Sequence, residues 1–273
     1  MVWRNNQQGF TLIELVAVIV ILGILATAVS KYIVFGTQIY VEGTARQETL
    51  SKSRFVIDRL SRELRTALPY SVRISASQAC LQFVPIVSSG TYRTDSGATA
   101  PPISPITGNA IDVISWSGSL SVGDRFYIYA TEEDHIYLNT DRFKIIDSVS
   151  AGSGPDYSVT FDNTQNATAF DQASPRERYF TADSMVFYCV VNGNMYRWET
   201  PEINNLAFSE DGIAYLGVLM AEGITNTVLS EPPFSYNAGA LFRNSVITLY
   251  LEFNANDNED MFFNHEVHIP NVP

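Results

Sequence analysis

The sequence predicts an α+β protein in which a long N-terminal transmembrane and amphipathic α-helix packs on a β-rich globular head. Two observations predict the helix: all 12 prolines lie at Pro69 or later, and the run from Phe10 to Val29 contains one charged residue, Glu14. A third observation predicts the head. After Pro69, short segments rich in Val, Ile, Tyr and Phe alternate with Gly, Asn, Asp and Pro, which is the pattern of strands and turns.

The first part of the predicted helix, residues 10–30, has the length and composition of a transmembrane segment. Twenty helical residues extend roughly 30 Å, the thickness of the hydrocarbon core of a bilayer. A carboxylate in such a segment costs roughly 2.5–3.5 kcal/mol near the helix centre and less near an end. Glu14 is therefore either tolerated close to the interface or has a partner.

The second part of the helix, residues 31–68, becomes amphipathic after Glu42. Apolar residues recur at steps of three and four along one face: Ile57, Leu60, Leu64 and Ala67. We expect this face to pack on the protein's own head, with the charged residues in solvent. Ion pairs are expected at i,i+4 spacing, namely Asp58–Arg62 and Arg59–Glu63. The alternative is that this face contacts the helix of another subunit.

The charge distribution is uneven. The first 68 residues carry eight Lys/Arg and five Asp/Glu, whereas residues 69–273 carry nine Lys/Arg and 24 Asp/Glu. An acidic distal part argues against binding to nucleic acid, because its surface would repel the phosphates. The slightly basic start is typical of a segment close to a membrane.

The two cysteines, Cys80 and Cys189, lie in apolar, strand-like segments. Only one intramolecular pairing is available to them. If the distal part is exported from a bacterial cytoplasm, it enters an oxidising compartment and we expect a disulfide. The alternative is two buried free thiols. Neither a CxxC motif nor a zinc-type spacing occurs.

The extreme N-terminus does not have the organisation of a secretory signal peptide. Such a peptide has an apolar region of about 7–15 residues with a small-residue cleavage site after it. Here the apolar run is longer, and the small residue Gly9 precedes it. An ordinary signal anchor would explain the length of the run but not the order Gly9, Phe10 and Glu14.

The segment MVWRNNQQG followed by FTLIELVAVIVILGILATAV resembles the N-terminus of the type IV pilin and pseudopilin superfamily. The resemblance implies that residues 1–9 are a leader, which prepilin peptidase removes by cleavage between Gly9 and Phe10, and that Phe10 is then N-methylated. It also implies a single-pass protein of the bacterial inner membrane with its head in the periplasm. An inner-membrane assembly platform would then move it into a pilus at the cell surface.

The resemblance gives Glu14 a partner. After cleavage, Glu14 lies four residues from the new amine, hence one turn away on the same helix face. In a staggered stack of such helices, its carboxylate would meet the terminal amine of a neighbouring major or minor pilin. An unpaired charge would be costly in that apolar stack, whereas a paired charge fixes the register. Glu14 is thus interpreted as an assembly residue.

The segment RFVIDRLSRELRTALPYSVRIS, residues 54–75, resembles minor pilins of the PilW and J-type pseudopilin kind. The similarity is greatest to the MshO type of mannose-sensitive haemagglutinin (MSHA) pili, whose strand motifs are similar to CLQFVPI, VGDRFYIYAT and VFYCVVNGNMYRWE. It implies a minor pilin that helps initiate or cap a filament. Two alternatives stay open: an adhesin at the pilus tip, for which we expect exposed Trp and Tyr on loops away from the helix, and a type II secretion minor pseudopilin.

The head is predicted to span residues 69–273 without a further domain boundary. Asn192-Gly193 predicts a β-hairpin turn, whereas residues 88–110 and 162–178 are predicted to be surface loops. The predicted strands are Val72–Ser75, Leu81–Val87, Ile111–Trp116, Phe126–Thr131, Phe143–Val149, Tyr157–Phe161, Met185–Val191, Met195–Trp198, Ile213–Val218, Val246–Phe253 and Met261–Ile269.

The head offers little chemistry of its own. His265 and His268 are three residues apart, so on a strand they would point to opposite faces, and we expect no metal there. The segment NANDNED, residues 254–260, resembles a calcium loop or, more simply, an acidic hairpin loop, since it lacks the EF-hand glycine and final glutamate. Motifs for nucleophilic, phosphate or dinucleotide chemistry are missing. We therefore expect no catalytic residues, no cofactor and no enzyme activity.

Overall fold

A helix of 54 residues, α1 (Leu12–Arg65), begins the part of the chain that can be described. The computed structural model describes residues 9–138, 141–152, 156–162, 164, 169–205, 216–227, 230–237, 244–256 and 259–270. The helix forms over a proline-free stretch. It ends in a tighter turn, in which the N–H groups of Thr66 and Ala67 donate to the carbonyls of Glu63 and Leu64, and Pro69 cannot continue the hydrogen-bond pattern.

The chain divides by its contacts into two units, Met1–Leu50 and Ser51–Pro273. We call residues 12–50 of α1 the upper section and residues 51–65 the lower section. The second unit also contains a short helix, α2 (Glu133–Tyr137). Its strands are β1 (Arg73–Ile74), β2 (Cys80–Phe83), β3 (Ser88–Tyr92), β4 (Ala110–Ser117), β5 (Arg125–Tyr127), β6 (Phe143–Ala151), β7 (Asp156–Phe161), β8 (Arg178–Ala182), β9 (Met185–Val191), β10 (Asn194–Thr200), β11 (Val218–Glu222), β12 (Phe234–Asn237), β13 (Ser245–Asn256) and β14 (Glu259–Ile269).

These strands form three antiparallel assemblies. One sheet has five strands in the order β1-β2-β9-β10-β11, another has three in the order β12-β13-β14, and a closed barrel contains β3-β4-β7-β6-β5-β8. The long helix followed by a β-rich head confirms the α+β prediction. The predicted hairpin turn is also confirmed: Val191 pairs with Asn194, and Asn192 and Gly193 have φ values of 51° and 76°, as a two-residue turn with both φ angles positive requires.

The largest core lies between the lower section of α1 and the two sheets. Its helix residues are Val56, Leu60 and Leu64, all fully buried. They pack among sheet residues that include Leu81, Phe83, Val186, Tyr188, Ile247, Leu249 and Leu251. A second core surrounds Cys80 and Cys189, and a third, rich in aromatic rings, fills the barrel. The apolar face predicted for the lower section therefore packs on the protein's own head.

Some strands of the head were not predicted, because they consist of residues other than Val and Ile. The predicted loop 88–110 begins with β3, whose sequence is SSGTY. Gly90 is required there because a Cβ would collide with the carbonyl oxygen of Ile114 and the ring of Tyr179. The strands β8 and β12 and the helix α2 were not predicted, and β8 begins at the end of the predicted loop 162–178.

Two predicted strands are shorter than expected. The strand predicted at Phe126–Thr131 ends at Tyr127, since Tyr129 adopts a positive φ of 51°, which extended backbone does not allow. The strand predicted at Leu81–Val87 ends at Phe83, because Pro85 follows and Ile86 donates its N–H to Thr66 at the end of α1. Of the strand predicted at Ile213–Val218, residues 213–215 lie outside the described residues, and among the other three only Val218 belongs to a strand, β11.

Candidate functional site

The N-terminal segment that carries the predicted processing and assembly residues lies at the start of α1. Gly9, Phe10 and Thr11 precede the first helical residue, Leu12. Phe10 is 84% exposed, and Glu14 is exposed as well. Because the helix begins after Phe10, the structure does not place Phe10 and Glu14 on one helix face. Their predicted alignment concerns the cleaved chain and stays a prediction.

Thr11 caps the start of α1, a role that the sequence analysis did not predict. The backbone N–H of Glu14 lies 3.4 Å from Thr11 Oγ1, and the N–H groups of Glu14 and Leu15 donate to the Thr11 carbonyl. Thr11 and Glu14 thus have the spacing of a capping box, a pattern visible in the sequence as T-x-x-E. A negative charge in the first turn of a helix is also favourable. Glu14 therefore has a local role that must be separated from any role between subunits.

The upper section of α1 presents apolar side chains to its surroundings on every face. Its most apolar window has a mean hydropathy of 2.8, and none of that window is buried. The helix is long and apolar enough to cross a membrane by length and composition. A soluble helix of this kind would normally be buried in a core. The segment thus requires lipid or other apolar helices around it.

The polar residues of the upper section suit an apolar surrounding. Thr27, Ser30 and Thr37 each donate their hydroxyl to a backbone carbonyl three or four residues earlier, at 2.8 Å. Their polar hydrogens therefore need no water. Glu14 is different, since its carboxylate forms no ion pair within the part of the chain that the structure describes. A carboxylate without a partner in an apolar segment is what the pairing hypothesis expects before assembly.

The lower section is joined to the head by a charged cluster. Glu63 contacts Arg59 at 3.0 Å, as predicted, and also Arg197 of β10 at 3.0 Å. Burial opposes the charge of Arg197, but the hydrogen bonds that its guanidinium donates to Glu63 and Glu199 nevertheless raise its pKa. Arg197 was not predicted, because nothing in local spacing reports a contact between residues so far apart in the chain. The predicted pair Asp58–Arg62 is not formed, although both residues are described.

The head is crosslinked at its centre. Cys80 and Cys189 form a disulfide, and they lie directly opposite each other on the antiparallel strands β2 and β9. Both are fully buried. The bond thus joins β2 to β9, the central strand of the five-stranded sheet.

The histidines and the acidic segment considered for metal binding lie on the strands β13 and β14. Elsewhere in the head, Glu133 of α2 forms an ion pair with Arg73 at 2.6 Å. His265 and His268 lie on β14 opposite Leu249 and Val246. Within the described residues, no three His, Cys, Asp or Glu side chains are grouped to hold a metal ion. The segment 254–260 contains the end of β13 and the start of β14, and its residues 257 and 258 lie outside the described residues.

A prokaryotic N-terminal methylation motif matches residues 4–30 of the chain. The match includes Gly9, Phe10, Thr11 and Glu14, and it extends over the apolar part of the upper section. Neither a curated protein nor a solved structure matches the chain. The matching family model thus covers the N-terminal segment, and the function of the head is inferred from its structure.

Proposed function

We propose that this type IV pilin-like chain is a minor pilin of an MSHA-like pilus. The methylation motif together with the N-terminal apolar helix supports a pilin- or pseudopilin-like protein that prepilin peptidase processes and that the helix anchors in a membrane. In the proposal, the head resides in the periplasm until the assembly platform transfers the chain into the filament. Its role is structural, not enzymatic: it helps to initiate or cap the filament.

The observation that carries the proposal is the exposed apolar part of the upper section, residues 12–44, which follows the methylation motif's Gly9 and Phe10. Eighteen large apolar residues from Phe10 to Val41 are more than half exposed: Phe10, Leu12, Ile13, Leu15, Ile19, Val20, Ile21, Leu22, Ile24, Leu25, Val29, Tyr32, Ile33, Val34, Phe35, Ile39, Tyr40 and Val41. Contiguous apolar surface of this extent indicates a membrane or an apolar partner. A stack of equivalent helices from other pilins supplies that partner after the chain leaves the membrane.

Exposed side chains of the head favour a structural subunit over an adhesin. Phe55 on the lower section and Val218 on the neighbouring sheet are 55% and 68% exposed. Apolar surface beside the helix is what lateral packing on other pilins requires. Trp116 and Tyr157, by contrast, lie on the barrel strands β4 and β7, and they form no ring contact with each other. The cluster of exposed aromatic residues on loops that an adhesin requires is not found in the described part of the head.

The experiment that tests the proposal separates processing from assembly by three substitutions in the full-length chain. Gly9→Val is expected to leave an uncleaved precursor in the membrane. Glu14→Ala is expected to be cleaved but to be lost from sheared filaments. Glu14→Gln is the informative control, because glutamine retains a capping-box side chain but has no charge to pair with a terminal amine. We expect it to behave as Glu14→Ala.

The measurement is the ratio of mature chain in the filament fraction to mature chain in the membrane fraction. If Glu14→Gln enters filaments as well as the unchanged chain does, the capping role of Glu14 is sufficient and charge pairing is wrong. If the unchanged chain copurifies only with a type II secretion system, it is a pseudopilin and not a pilus subunit.

A further inference from the structure

The exposed side of the lower section carries three arginines without an ion pair. Arg54, Arg62 and Arg65 are exposed, and none of them pairs with an acidic group among the described residues. At 3.6 residues per turn, they lie within about a quarter of the circumference of α1. We call these three residues the arginine face. Basic residues in the last turn of a helix interact favourably with its dipole, which explains Arg62 and Arg65 but not Arg54.

A groove of about 410 Å³ runs beside the arginine face. It is lined by Phe55, Asp58, Arg59, Arg62 and Glu63. Phe55 is 55% exposed, although the other large apolar residues of the lower section are buried or half-buried. A half-exposed aromatic ring beside arginines has the composition of an interface centre and not of a solvated helix face.

The edge of the five-stranded sheet extends this apolar surface. Val218 of β11 lies directly opposite Arg197 of β10, so the two side chains project from the same face of the sheet. Arg197 contacts Glu63, a residue of the groove. The 68% exposed side chain of Val218 therefore projects on the side of the sheet that meets the lower section.

The charge of the chain indicates what occupies the groove. Residues 69–273 contain 24 Asp/Glu and nine Lys/Arg, so a head of this kind is strongly acidic. We infer that the arginine face and its groove bind the acidic β-rich head of a neighbouring pilin-type subunit. Phe55 lies at the centre of this contact, and the guanidinium groups bind carboxylates, for which their planar donors are suited. This inference rests on the proposed function, since it requires neighbours in a filament.

The contact complements the one proposed for Glu14. Glu14 fixes the register of neighbouring helices, whereas the arginine face orients the heads. Complementary charges contribute to specificity and to the rate of encounter more than to affinity. A neighbour with a basic head would be rejected, so the arginine face selects which pilin-type subunits follow each other.

The test uses full-length chain in its native host and reverses the charges of the arginine face. The triple variant Arg54→Glu, Arg62→Glu, Arg65→Glu is compared with Arg176→Glu, an exposed arginine of the head that forms no ion pair in the described structure. We expect the triple variant to be cleaved normally but to enter filaments at least about tenfold less, which corresponds to about 1.4 kcal/mol. The Arg176 variant is expected to enter filaments normally.

A photocrosslinking amino acid in place of Phe55 identifies the partner. We expect a crosslink to an acidic head peptide of a second subunit, identified by mass spectrometry. A crosslink only to lipid would instead place the groove at the membrane surface, and a crosslink only within the chain would place the chain's own head in it. Either result overturns the inference.

Folding and the proposed function are controlled separately. A protease-resistant head with an intact disulfide in the triple variant shows that loss of incorporation is not loss of fold. Replacement of the three arginines by glutamine should give an intermediate effect, because the attraction is removed without repulsion. If the unchanged chain enters filaments and the triple glutamate variant enters equally well, this inference fails while the proposed function stands. If the unchanged chain never enters filaments, both fail.

Discussion

The two sections of α1 differ in the burial of their apolar side chains, although they belong to one helix. In the upper section Leu25 is 54% exposed, and in the lower section Leu60 is fully buried. From Leu12 to Val41 the upper section exposes apolar side chains on all faces, whereas the lower section turns its apolar side chains toward the head. The lower section therefore gains its stability from its own chain. Residues 12–44 of the upper section are all exposed, and their apolar side chains require lipid or other helices.

Loss of the disulfide should cause the largest decrease in the free energy of unfolding. This decrease should be confined to the head. The bond joins residues 109 positions apart, and closing a loop of this length contributes about 4–5 kcal/mol in the chain-entropy model. Replacement of Cys80 and Cys189 by alanine should lower the free energy of unfolding by about this amount. Trp198, whose ring stacks on Phe187 at 5.0 Å, reports the unfolding of the full-length chain in detergent by fluorescence.

The helical content of the upper section is the control for this prediction, because no contact to the disulfide supports it. An equal loss of helical signal in the 12–50 segment of the double variant, followed with isotope-labelled residues, would contradict the separation of the two sections.

A matched pair of leucine substitutions compares the sections directly. Leu60→Ala removes buried methyl groups from the largest core and should destabilise the head by about 2–5 kcal/mol. Leu25→Ala in the upper section should change the stability of the head by less than about 0.5 kcal/mol, but it should weaken incorporation into filaments. Denaturant unfolding and filament fractionation measure the two effects. Similar losses of head stability from both substitutions would show that the upper section is not independent.

The smallest change in the free energy of unfolding is expected from replacement of Asp124. The carboxyl of this residue makes the stability of the head depend on pH. Burial, together with the charge of Asp183, raises the pKa of this carboxyl from 3.8 to about 6. Because the folded chain binds this proton more tightly than the unfolded chain, the contribution of Asp124 to stability falls as pH rises from about 4 to about 6. Asp124→Asn should abolish that fall and stabilise the head at pH 7 by about 1–3 kcal/mol.

Asp162→Asn is a control of opposite sign. Hydrogen bonds from Thr164 lower the pKa of the Asp162 carboxyl, so its stabilising contribution is present above pH 4 and is lost as pH falls through the lowered pKa. A thermal unfolding series from pH 3 to pH 8 measures both variants. An unchanged slope between pH 4 and pH 6 in Asp124→Asn would refute the assignment.

The sequence predicted the parts of the fold that local pattern determines. The absence of proline and the spacing of Leu60 and Leu64 identified the helix and its buried face, and Asn192-Gly193 identified the hairpin turn. The motif around Gly9, Phe10 and Glu14 was recognisable because it is contiguous. Thr11 was equally recognisable from the sequence as the first residue of a T-x-x-E capping box.

The remainder depends on contacts that sequence spacing does not report. The strand β3 consists of Ser, Gly, Thr and Tyr, which local pattern would assign to a loop. It fits into the closed barrel because Gly90 has no side chain and leaves room for the carbonyl of Ile114 and the ring of Tyr179. Arg197 reaches Glu63 across the core from a strand 134 residues away in the chain. Such positions become predictable only when the sheet order is known.

The most direct test of the account is the intact mass and the N-terminal sequence of the protein isolated from its native host. We expect a mature chain that begins with N-methylated Phe10. This result would show that the segment from Gly9 to Glu14 is a processing signal ahead of the exposed apolar helix. A chain that still begins at Met1, in a host with active prepilin peptidase, would contradict the account and leave the upper section as an ordinary membrane anchor.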